Sequence, residues 1–501
     1  MRFITSLLLA GALAAQTSAP AQYRSKIAIF DLAARTSTIV YEGDGVIEAP
    51  NWSRDGKHLL VNTGGGLYRL PVEGERNLER VPLGNEYRCN NDHDYSPDGK
   101  WIAFSASTPD SKQSRVYVAQ ADGSHVSLLT PTAPSYFHGW SRDGQWLGFV
   151  GQRNGKFELY RVAVNGGAEQ RLTSAGAYDD GPEYSPDGKW IYFNSDRSGA
   201  WEIWRMPVSG AGPKDKLAQR ITSDAPEDWF PHLSPDGKQL VSIAFPSGTK
   251  GHGGRMAGMT LRWMPAPGKK PDAKARMETL TTFFGGQGSF NVNSWAPDSK
   301  RFAYVIYEPV TSVTWKFDRL DSIGGHATTV EGHPRVVDGA IQFNGVDDAI
   351  FLETHPLAGA EQFTWEVIFR PDADGRPEQR FFHMQENGSQ YRLLLETRVK
   401  DGTWYLDSFA NSSTGSKALI DATKKYPAGQ WYHVASVYDG REFRHYVNGQ
   451  LQGKAEVKLA PQGAGRTSIG VRINKVDYFK GAVRTARFSR RALDPGEFLQ
   501  P

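Results

Sequence analysis

One short phrase recurs along the first three-fifths of the chain and constrains the fold more than any other feature. Its fullest copy runs from Tyr184 to Phe193 and reads YSPDGKWIYF, with Asp-Gly between two runs of aromatic and β-branched residues. Such an Asp-Gly pair predicts a tight turn joining two antiparallel strands, because glycine adopts positive φ without strain. The other copies begin at Trp52, Tyr95, Trp140, Leu233 and, in a degenerate form, Trp295.

The spacing of these copies predicts a β-propeller. Measured between their aspartates, from Asp55 to Asp298, the intervals are 43, 45, 44, 49 and 62 residues. A period of about 40–45 residues with four short strands per unit is typical of propeller blades. Strand-like runs that lack a neighbouring copy stand at both ends of the array, at residues 26–31, 38–41, 291–295 and 301–307. Pairing them completes a sixth blade and leaves no open sheet edge.

Length and composition limit the possible classes of protein. The chain has 501 residues, 39% hydrophobic and 23% charged, which suits two or three globular domains. Its 14 Trp and 20 Tyr favour an all-β protein. A net charge of +3 without a block of Lys or Arg argues against nucleic-acid binding. The single cysteine, Cys89, excludes an internal disulfide.

The N terminus has the features of an export signal. Arg2 precedes an apolar run from Ile4 to Ala15, and Ala19-Pro20-Ala21 is an A-x-A cleavage site. The run is too short to span a bilayer. We therefore predict a signal peptide at residues 1–21, no membrane span, and a mature protein in the periplasm or outside a bacterial cell.

Two resemblances to known families follow one another along the chain. The repeated phrase resembles that of TolB-like six-bladed propellers. After Pro309 the chain resembles laminin-G-like, concanavalin-A-like sandwiches, on a G-x-x-x-F-x-G opening at Gly339, a W-x-H-V strand at Trp431, a Y-V-N-G hairpin at Tyr446 and a closing F-x-G at Phe479. The predicted fold is therefore all-β, with a propeller at residues 22–308, a linker and the start of the second domain at 309–335, and a jelly-roll sandwich at 336–501.

The second resemblance implies a binding domain. Such sandwiches often bind glycans or proteins, some of them through Ca²⁺. Arg484 and Thr485 stand where many relatives have an acidic pair. Asp347 and Asp348 remain the predicted calcium ligands in a loop, with solvated turn carboxylates as the alternative.

Polar residues gather at the predicted starts of the innermost strands, which converge on the propeller axis in a funnel. His93 and His138 both lie three residues before the serine of their phrases, so we predict that they face the axis together. His232 is one position out of phase and faces away unless Pro231 forms a bulge. The predicted ligand-binding residues are Asn90, Asn91, Asp92, Asp180, Glu183, Trp229, Gln287, Asn291 and Asn293.

Several functions are compatible with this funnel. The favoured one is binding of a glycan or glycoconjugate, with Trp229 offering a ring face. The alternative is a polyuronate lyase or glycoside-cleaving enzyme, with His93, His138 and Arg255 as catalytic residues and Arg255 in an inserted loop predicted to cover the funnel. Its divalent transition metal would be held by His93, His138, His232 and His252.

Two further interpretations need no chemistry in the funnel. One is a protein-interaction scaffold with a partner in the cell envelope. The other is purely structural, with histidines and acids capping strand ends and binding water. The chain has neither a G-x-S-x-G nucleophile elbow nor a glycine-rich phosphate loop.

Overall fold

The structure, a computed structural model, describes residues 23–153, 155–272 and 276–500. These residues form two compact units, one at Tyr23–Pro309 and one from Val310 onward. The predicted signal peptide at residues 1–21 lies outside the described residues. Within the described ranges, no helix is long and apolar enough to cross a membrane.

The first unit is a six-bladed β-propeller, as predicted. Five blades are four-stranded antiparallel sheets whose strands follow one another in sequence order. Its strands are β1 (Tyr23–Asp31), β2 (Thr36–Asp44), β3 (Ile47–Trp52), β4 (His58–Thr63), β5 (Gly66–Pro71), β6 (Glu79–Arg80), β7 (Arg88–Tyr95), β8 (Trp101–Thr108), β9 (Ser111–Gln120), β10 (Ser127–Leu128), β11 (Ser135–Trp140), β12 (Trp146–Arg153), β13 (Lys156–Ala163), β14 (Gln170–Arg171), β15 (Asp179–Tyr184), β16 (Trp190–Ser195), β17 (Glu202–Pro207), β18 (Gln219–Arg220), β19 (Glu227–Leu233), β20 (Gln239–Phe245), β21 (Arg255–Pro265), β22 (Glu278–Gly286) and β23 (Arg301–Pro309). Short 3₁₀ turns occur at Pro213–Asp215 and Gln287–Ser289.

The sixth blade is shared between the two ends of the array. Strand β1 pairs along its whole length with β23, and β2 forms the outer edge. The innermost position is taken by the segment before β23, which is joined to it through a bridge between Trp295 and Phe302. The ring is therefore closed by strands far apart in sequence.

Side-chain hydrogen bonds explain why the repeated phrase folds as a turn. In the fullest copy the Ser185 hydroxyl donates to Asp187 Oδ1 at 2.6 Å, and the Lys189 amide donates to the same oxygen at 3.1 Å. The Trp190 amide donates to Ser185 Oγ at 2.9 Å, and Gly188 has a φ of 72°. The same serine–aspartate bond forms in four other copies, at Ser53–Asp55, Ser96–Asp98, Ser141–Asp143 and Ser234–Asp236.

Each of the five complete innermost strands is irregular just before its phrase. The pairing register shifts within β3, β7, β11, β15 and β19. At three of these bulges the residue four places before the serine has positive φ, namely Ala49 (55°), Gly181 (62°) and Phe230 (49°). A bulge re-aims the side chains beside it, so simple alternation does not hold along these strands.

The second unit is a sandwich of two large antiparallel sheets. One has the order β28-β29-β41-β31-β37-β38-β39 with β24 on β41, and the other has the order β27-β30-β40-β32-β33-β34-β35 with β36 on β34. The strands are β24 (Ser312–Lys316), β25 (Ser322–Ile323), β26 (His326–Ala327), β27 (Thr329–Glu331), β28 (Arg335–Val337), β29 (Ala340–Asn344), β30 (Ala349–Leu352), β31 (Phe363–Pro371), β32 (Glu378–Glu386), β33 (Arg392–Lys400), β34 (Thr403–Asn411), β35 (Ser416–Ile420), β36 (Tyr426–Pro427), β37 (Tyr432–Tyr438), β38 (Glu442–Val447), β39 (Gln450–Glu456), β40 (Gly465–Ile469) and β41 (Lys480–Ser489). A last 3₁₀ turn lies at Pro495–Glu497.

One hydrophobic core fills the space between the two sheets. Trp315, Trp365, Phe382 and Trp404 are among its fully buried side chains. Trp315 belongs to β24, which pairs with β41, so the chain is already part of the sandwich a few residues after Pro309. Strands of this unit thus occupy much of the segment 309–335.

Candidate functional site

A polar cavity of about 370 Å³ opens where the innermost strands of the propeller begin. We call it the funnel. Its volume lies in the range of small-molecule sites. The funnel is lined by Glu48, Asn90, Asn91, Asp92, Tyr136, His138, Val150, Phe157, Tyr178, Asp180, His252 and Gln287.

An aspartate between two histidines forms the centre of the funnel. Asp180 Oδ1 lies 3.2 Å from His138 Nε2, and Asp180 Oδ2 lies 3.4 Å from His252 Nε2. The backbone amide of Gly181 donates to the same carboxylate at 2.8 Å. Asp180 and His138 come from neighbouring strands, β15 and β11, whereas His252 comes from the inserted loop after β20. That loop does reach the funnel, as predicted.

The charges of this cluster stabilise one another. Burial alone would raise the pKa of Asp180, but the hydrogen bonds and charges of His138 and His252 hold it well below its ordinary value. Burial alone would lower the pKa of His138, but the bond to Asp180 and the nearby charge of Asp92 raise it. Asp180 is therefore an anion, and His138 takes up a proton readily.

Arg255 contacts Glu48 of the funnel lining but is not itself among the lining residues. Its guanidinium donates to Glu48 Oε1 at 2.7 Å and lies over the rings of Tyr23 and Tyr307 at 5.4 and 4.8 Å. Burial raises the pKa of Glu48 against the opposing effect of Arg255. The predicted role of Arg255, neutralising a substrate carboxylate, would require this pair to open.

Amide side chains surround the second buried acid of the funnel. Asn291 Nδ2 donates to Asp92 Oδ1 at 2.7 Å, and Asn90 Nδ2 donates to Asp92 Oδ2 at 2.6 Å. Gln287 bonds Asn291 at 3.2 Å. Burial raises the pKa of Asp92, although His138 opposes the shift. The predicted residues Asn90, Asn91, Asp92, Gln287 and Asn291 thus meet at one side of the funnel.

His93 does not join His138, contrary to the prediction. It is fully buried, lines neither of the axial cavities, and has no hydrogen-bond partner on either ring nitrogen among the described residues. Burial lowers its pKa to about 3. The cause is the position of the bulges, because His93 is regularly paired with Phe104 whereas His138 is the bulged residue of its strand.

A second axial cavity of about 260 Å³ lies at the other end of the channel, beside the phrase turns. Glu183 and Asn293 line this cavity, and His138 is the only described residue that lines both. Asn293 donates to Glu183 at 2.7 Å, and His232 also contacts Glu183. The pairing register shifts between Trp229 and His232, so the strand has a bulge at Pro231, the condition under which His232 was expected to face the axis.

Trp229 does not offer a free ring face. It is fully buried, with Trp201 at 3.9 Å and the imidazole of His252 stacked on it at 4.3 Å. The exposed aromatic wall is formed instead by Tyr136, Phe157 and Tyr178, with Phe157 and Tyr178 stacked at 5.0 Å. A ligand would meet these rings rather than Trp229.

The histidines of the funnel do not converge on one point. Among the described residues, only Glu202, Asp224 and Asp228 bring three possible metal-ligating atoms within 4.8 Å of one another. Arg262 already pairs with Asp224 and with Asp228, the latter at 2.8 Å. The donor geometry therefore does not fit the predicted transition metal on His93, His138, His232 and His252.

The predicted calcium loop is also committed to other bonds. Asp348 accepts from the amides of His333 and Asn344 at 2.7 and 2.9 Å, and it is almost completely buried. Asp347 accepts from the Asn344 side chain at 2.7 Å. Both Asp348 oxygens accept hydrogen bonds from backbone amides, which does not favour calcium at these two acids, and the calcium site stays a prediction.

The predicted list of site residues omitted five lining residues, Glu48, Tyr136, Val150, Phe157 and Tyr178. A signal for Glu48 was present, because it stands five residues before its serine, as do Asn91, Tyr136 and Asp180. Phe157 and Tyr178 lie outside the innermost strands. Their place in the funnel therefore could not be predicted from the spacing of the repeated phrase.

Comparisons with known proteins agree with this architecture. Residues 132–257 match the family model of the TolB beta propeller domain, and residues 344–497 match that of the concanavalin A-like lectin/glucanases superfamily. An uncharacterized protein, Atu1656, of Agrobacterium fabrum is 41% identical over 287 residues, which cover 57% of this chain and 94% of the relative.

Two further relatives carry the TolB name. The solved structure of a putative TolB from Agrobacterium tumefaciens is 41% identical, has a TM-score of 0.53, and is matched over 57% of this chain and 99% of its own. The Tol-Pal system protein TolB of Francisella tularensis subsp. mediasiatica is 26% identical over 131 residues, only 29% of its length. The chain belongs to the family of TolB-like six-bladed β-propellers and carries a concanavalin-A-like domain after its propeller.

Proposed function

We propose that this is an exported glycan-binding protein whose funnel takes an uncharged sugar. The observation that carries the proposal is charge pairing. Arg255 faces Glu48, and His138 and His252 face Asp180. A site whose cations are each paired with a carboxylate, and which has many hydrogen-bonding groups, suits a ligand that has hydroxyl groups and no net charge.

The composition of the lining supports a sugar ring. The rings of Tyr136, Phe157 and Tyr178 form one wall, and the amides of Asn90 and Gln287 belong to the lining as well. Aromatic rings pack on the C–H face of a sugar, while amides and carboxylates bond its hydroxyls. The volume of about 370 Å³ suits a short segment of a glycan rather than a folded partner.

The same pairing argues against a polyuronate lyase. That reaction needs a cation to neutralise the substrate carboxylate and a base to remove the neighbouring proton. The cation Arg255 is held by Glu48, and His138 Nε2 is held by Asp180. A glycoside-cleaving activity with His138 and Asp180 as an acid–base pair is the remaining enzymatic candidate, since they lie 3.2 Å apart.

Calorimetric titration of the full mature chain with neutral oligosaccharides, with oligogalacturonate as the acidic counterpart, tests the proposal. We expect a neutral glycan to bind, and Asp180→Asn to weaken its binding at least about tenfold, the scale of a lost charge-assisted bond. The matched control is Glu73→Gln, which removes an exposed acid from another part of the propeller. No binding of any neutral glycan, or an unchanged Asp180→Asn variant, contradicts the proposal.

Analysis of the glycan after incubation separates binding from turnover. Recovery of intact ligand supports a binding protein, and shortened chains support the glycoside-cleaving candidate. Capture of an envelope protein that survives Asp180→Asn, with no glycan bound, supports the scaffold interpretation instead.

Export is the second part of the proposal. It is supported by the apolar run from Ile4 to Ala15 and the cleavage site at Ala19–Ala21. Expression in a bacterium, fractionation and N-terminal sequencing should find the protein outside the cytoplasm with Gln22 as its first residue. An intact N terminus in the cytoplasmic fraction contradicts this part.

A further inference from the structure

The outer face of one sheet in the C-terminal domain carries an unusual group of cations. On β33 the alternate residues Leu393 and Leu395 belong to the core, so Arg392 and Leu394 point to the opposite face. Strand register places side chains beside Arg392 in a row across four strands, consisting of Arg466, Gln385, Arg392 and Asn411. The next row is Ser468, His383, Leu394 and Phe409.

The arginines at the other end of this face are fully paired. Arg380 meets Glu378, Glu396 and Asp477 at 2.7, 3.2 and 2.5 Å. Arg398 meets Glu378, Glu396 and Asp407 at 2.6, 3.5 and 2.6 Å. This half of the face has a carboxylate for every cation.

The half around Arg392 has none. Within the part of the chain that the structure describes, no carboxylate lies within 4.0 Å of the side chains of Arg392, Arg466 or Arg472. Arg392 lies over the ring of Phe409 at 4.9 Å and donates to the backbone oxygen of Gln390 at 2.9 Å. Arg392 and Arg472 are partly exposed, and Arg466 is exposed.

Two buried donors in this group lack an acceptor. The amide of Ile473 donates to His383 Nδ1 at 3.0 Å, so the proton of the neutral ring is on Nε2. His383 Nε2 has no partner among the described residues, and neither has Arg392 Nε. A buried donor without an acceptor destabilises the fold. An oxyanion is the kind of acceptor that both donors lack.

The cations are also close enough to repel one another. Arg472 directly precedes Ile473, whose amide bonds His383, and Arg392 is a diagonal neighbour of His383 across β32 and β33. Burial lowers the pKa of Arg392, and the charge of Arg472 lowers it further against the opposing charge of Glu396. Burial and the same two arginines lower the pKa of His383 to about 3. A shared anion would relieve this repulsion.

We propose that Arg392 and Arg472, backed by His383 Nε2–H, bind the carboxylate of a uronic acid residue in an acidic glycan. The amide oxygens of Gln385 and Asn411 stand in the same row as Arg392 and accept from sugar hydroxyls. The ring of Phe409 packs beside them. A site with guanidinium donors, amide acceptors and an aromatic ring matches the carboxylate, hydroxyls and C–H face of a uronic acid.

The test is calorimetric titration of the full chain with trigalacturonate, compared with its neutral counterpart. We expect salt-sensitive binding of the acidic sugar that weakens between about 50 mM and about 500 mM NaCl. Arg392→Gln and Arg472→Gln should each weaken it at least about tenfold, the scale of one charge-assisted hydrogen bond. The matched control is Arg441→Gln, which removes an exposed, paired arginine from the same domain and should change nothing.

Other outcomes overturn the proposal. Displacement of trigalacturonate by inorganic sulfate at equal ionic strength with equal affinity indicates an adventitious ion only. Unchanged binding in both arginine variants, with melting temperatures showing that they are folded, also refutes the site. Asp180→Asn must leave this binding intact, so failure here is distinguishable from failure of the funnel proposal.

Discussion

The funnel of the propeller and the outer face around Arg392 use similar residue types in opposite ways. Both combine cations, amides and aromatic rings. In the funnel each cation faces a carboxylate, as Arg255 faces Glu48 and His138 faces Asp180. Among the described residues, no carboxylate lies within 4.0 Å of the Arg392 side chain, and two buried donors there have no acceptor.

The difference shows that the pairing of charges indicates the kind of ligand better than the types of residue present do. A list of the cations, amides and aromatic rings alone would assign the same ligand to both regions. Pairing assigns a neutral ligand to the funnel, because its cations already face carboxylates, and an acidic ligand to the outer face, because its cations do not.

Removal of the strands that close the ring should abolish binding in the funnel and leave binding at the outer face around Arg392 unchanged. Deletion of residues 23–44 takes away β1 and β2, exposing β23 and breaking the sixth blade. We expect loss of the cooperative unfolding transition of the propeller and of all binding in the funnel. Scanning calorimetry and limited proteolysis measure the loss of the unfolding transition, and calorimetric titration measures the loss of binding.

Trigalacturonate binding provides the internal control for that deletion, since every described strand partner of β1 and β2 belongs to the propeller. It should persist in the deleted protein. An unchanged melting profile would refute the shared blade, and loss of the acidic site would show that the two regions are not independent.

Removal of the carboxylate that pairs with Arg255 should give the funnel a preference for acidic sugars, as proposed for the outer face. In Glu48→Gln the guanidinium of Arg255 loses its carboxylate, so the funnel acquires an uncompensated cation. We expect a gain of about tenfold in affinity for galacturonate relative to a neutral sugar, measured by titration in the background Arg392→Gln.

The double variant Glu48→Gln/Arg255→Gln is the matched control, because it removes both charges. It should show no preference for the acid. Equal behaviour of the single and double variants would mean that Arg255 does not reach the ligand.

The smallest expected effect is a pH-dependent stability difference of about 1 kcal/mol between the wild type and Asp180→Asn. The raised pKa of His138 stabilises the fold below about pH 6.5, and this is lost as pH rises through the folded-state pKa. The lowered pKa of Asp180 stabilises the fold above about pH 3.9 and is lost as pH falls. Denaturant unfolding should give the largest difference between about pH 4 and pH 6.5.

Asp179→Asn is the control for that profile. Asp179 is the neighbouring buried acid and pairs with Arg197 at 2.7 Å. Arginine keeps its charge up to high pH, so the effect of this variant should not decline between about pH 6.5 and pH 9. Parallel profiles for the two variants would exclude His138 as the titrating partner.

The architecture of the propeller could be predicted because its signals are local. The bonds between Ser185 and Asp187, and between Asp187 and the Lys189 amide, span only a few residues and recur in every complete copy. The shared blade followed from a count of strands. These features need no knowledge of distant contacts.

The site was harder to predict because its geometry depends on bulges. His93 and His138 have equal spacing from their serines, yet the bulge of each strand falls at a different residue, so their side chains diverge. Trp229 was expected to be open, but His252 stacks on it from a loop about twenty residues away in sequence. Asp348 resembled a metal ligand, but the amides of His333 and Asn344 use both its oxygens.

Closure of the ring by β1 and β23 has a consequence for folding in time. Ile27 pairs with Val305, so β1, the third strand of the last blade, is synthesised first. It has no β23 to pair with until nearly the whole array has been synthesised. Contacts this distant in sequence have a high loop-closure cost and slow the rate-limiting step. During that interval β1 exposes the unpaired edge of an apolar strand, which makes the nascent chain a natural client for chaperones that shield such edges.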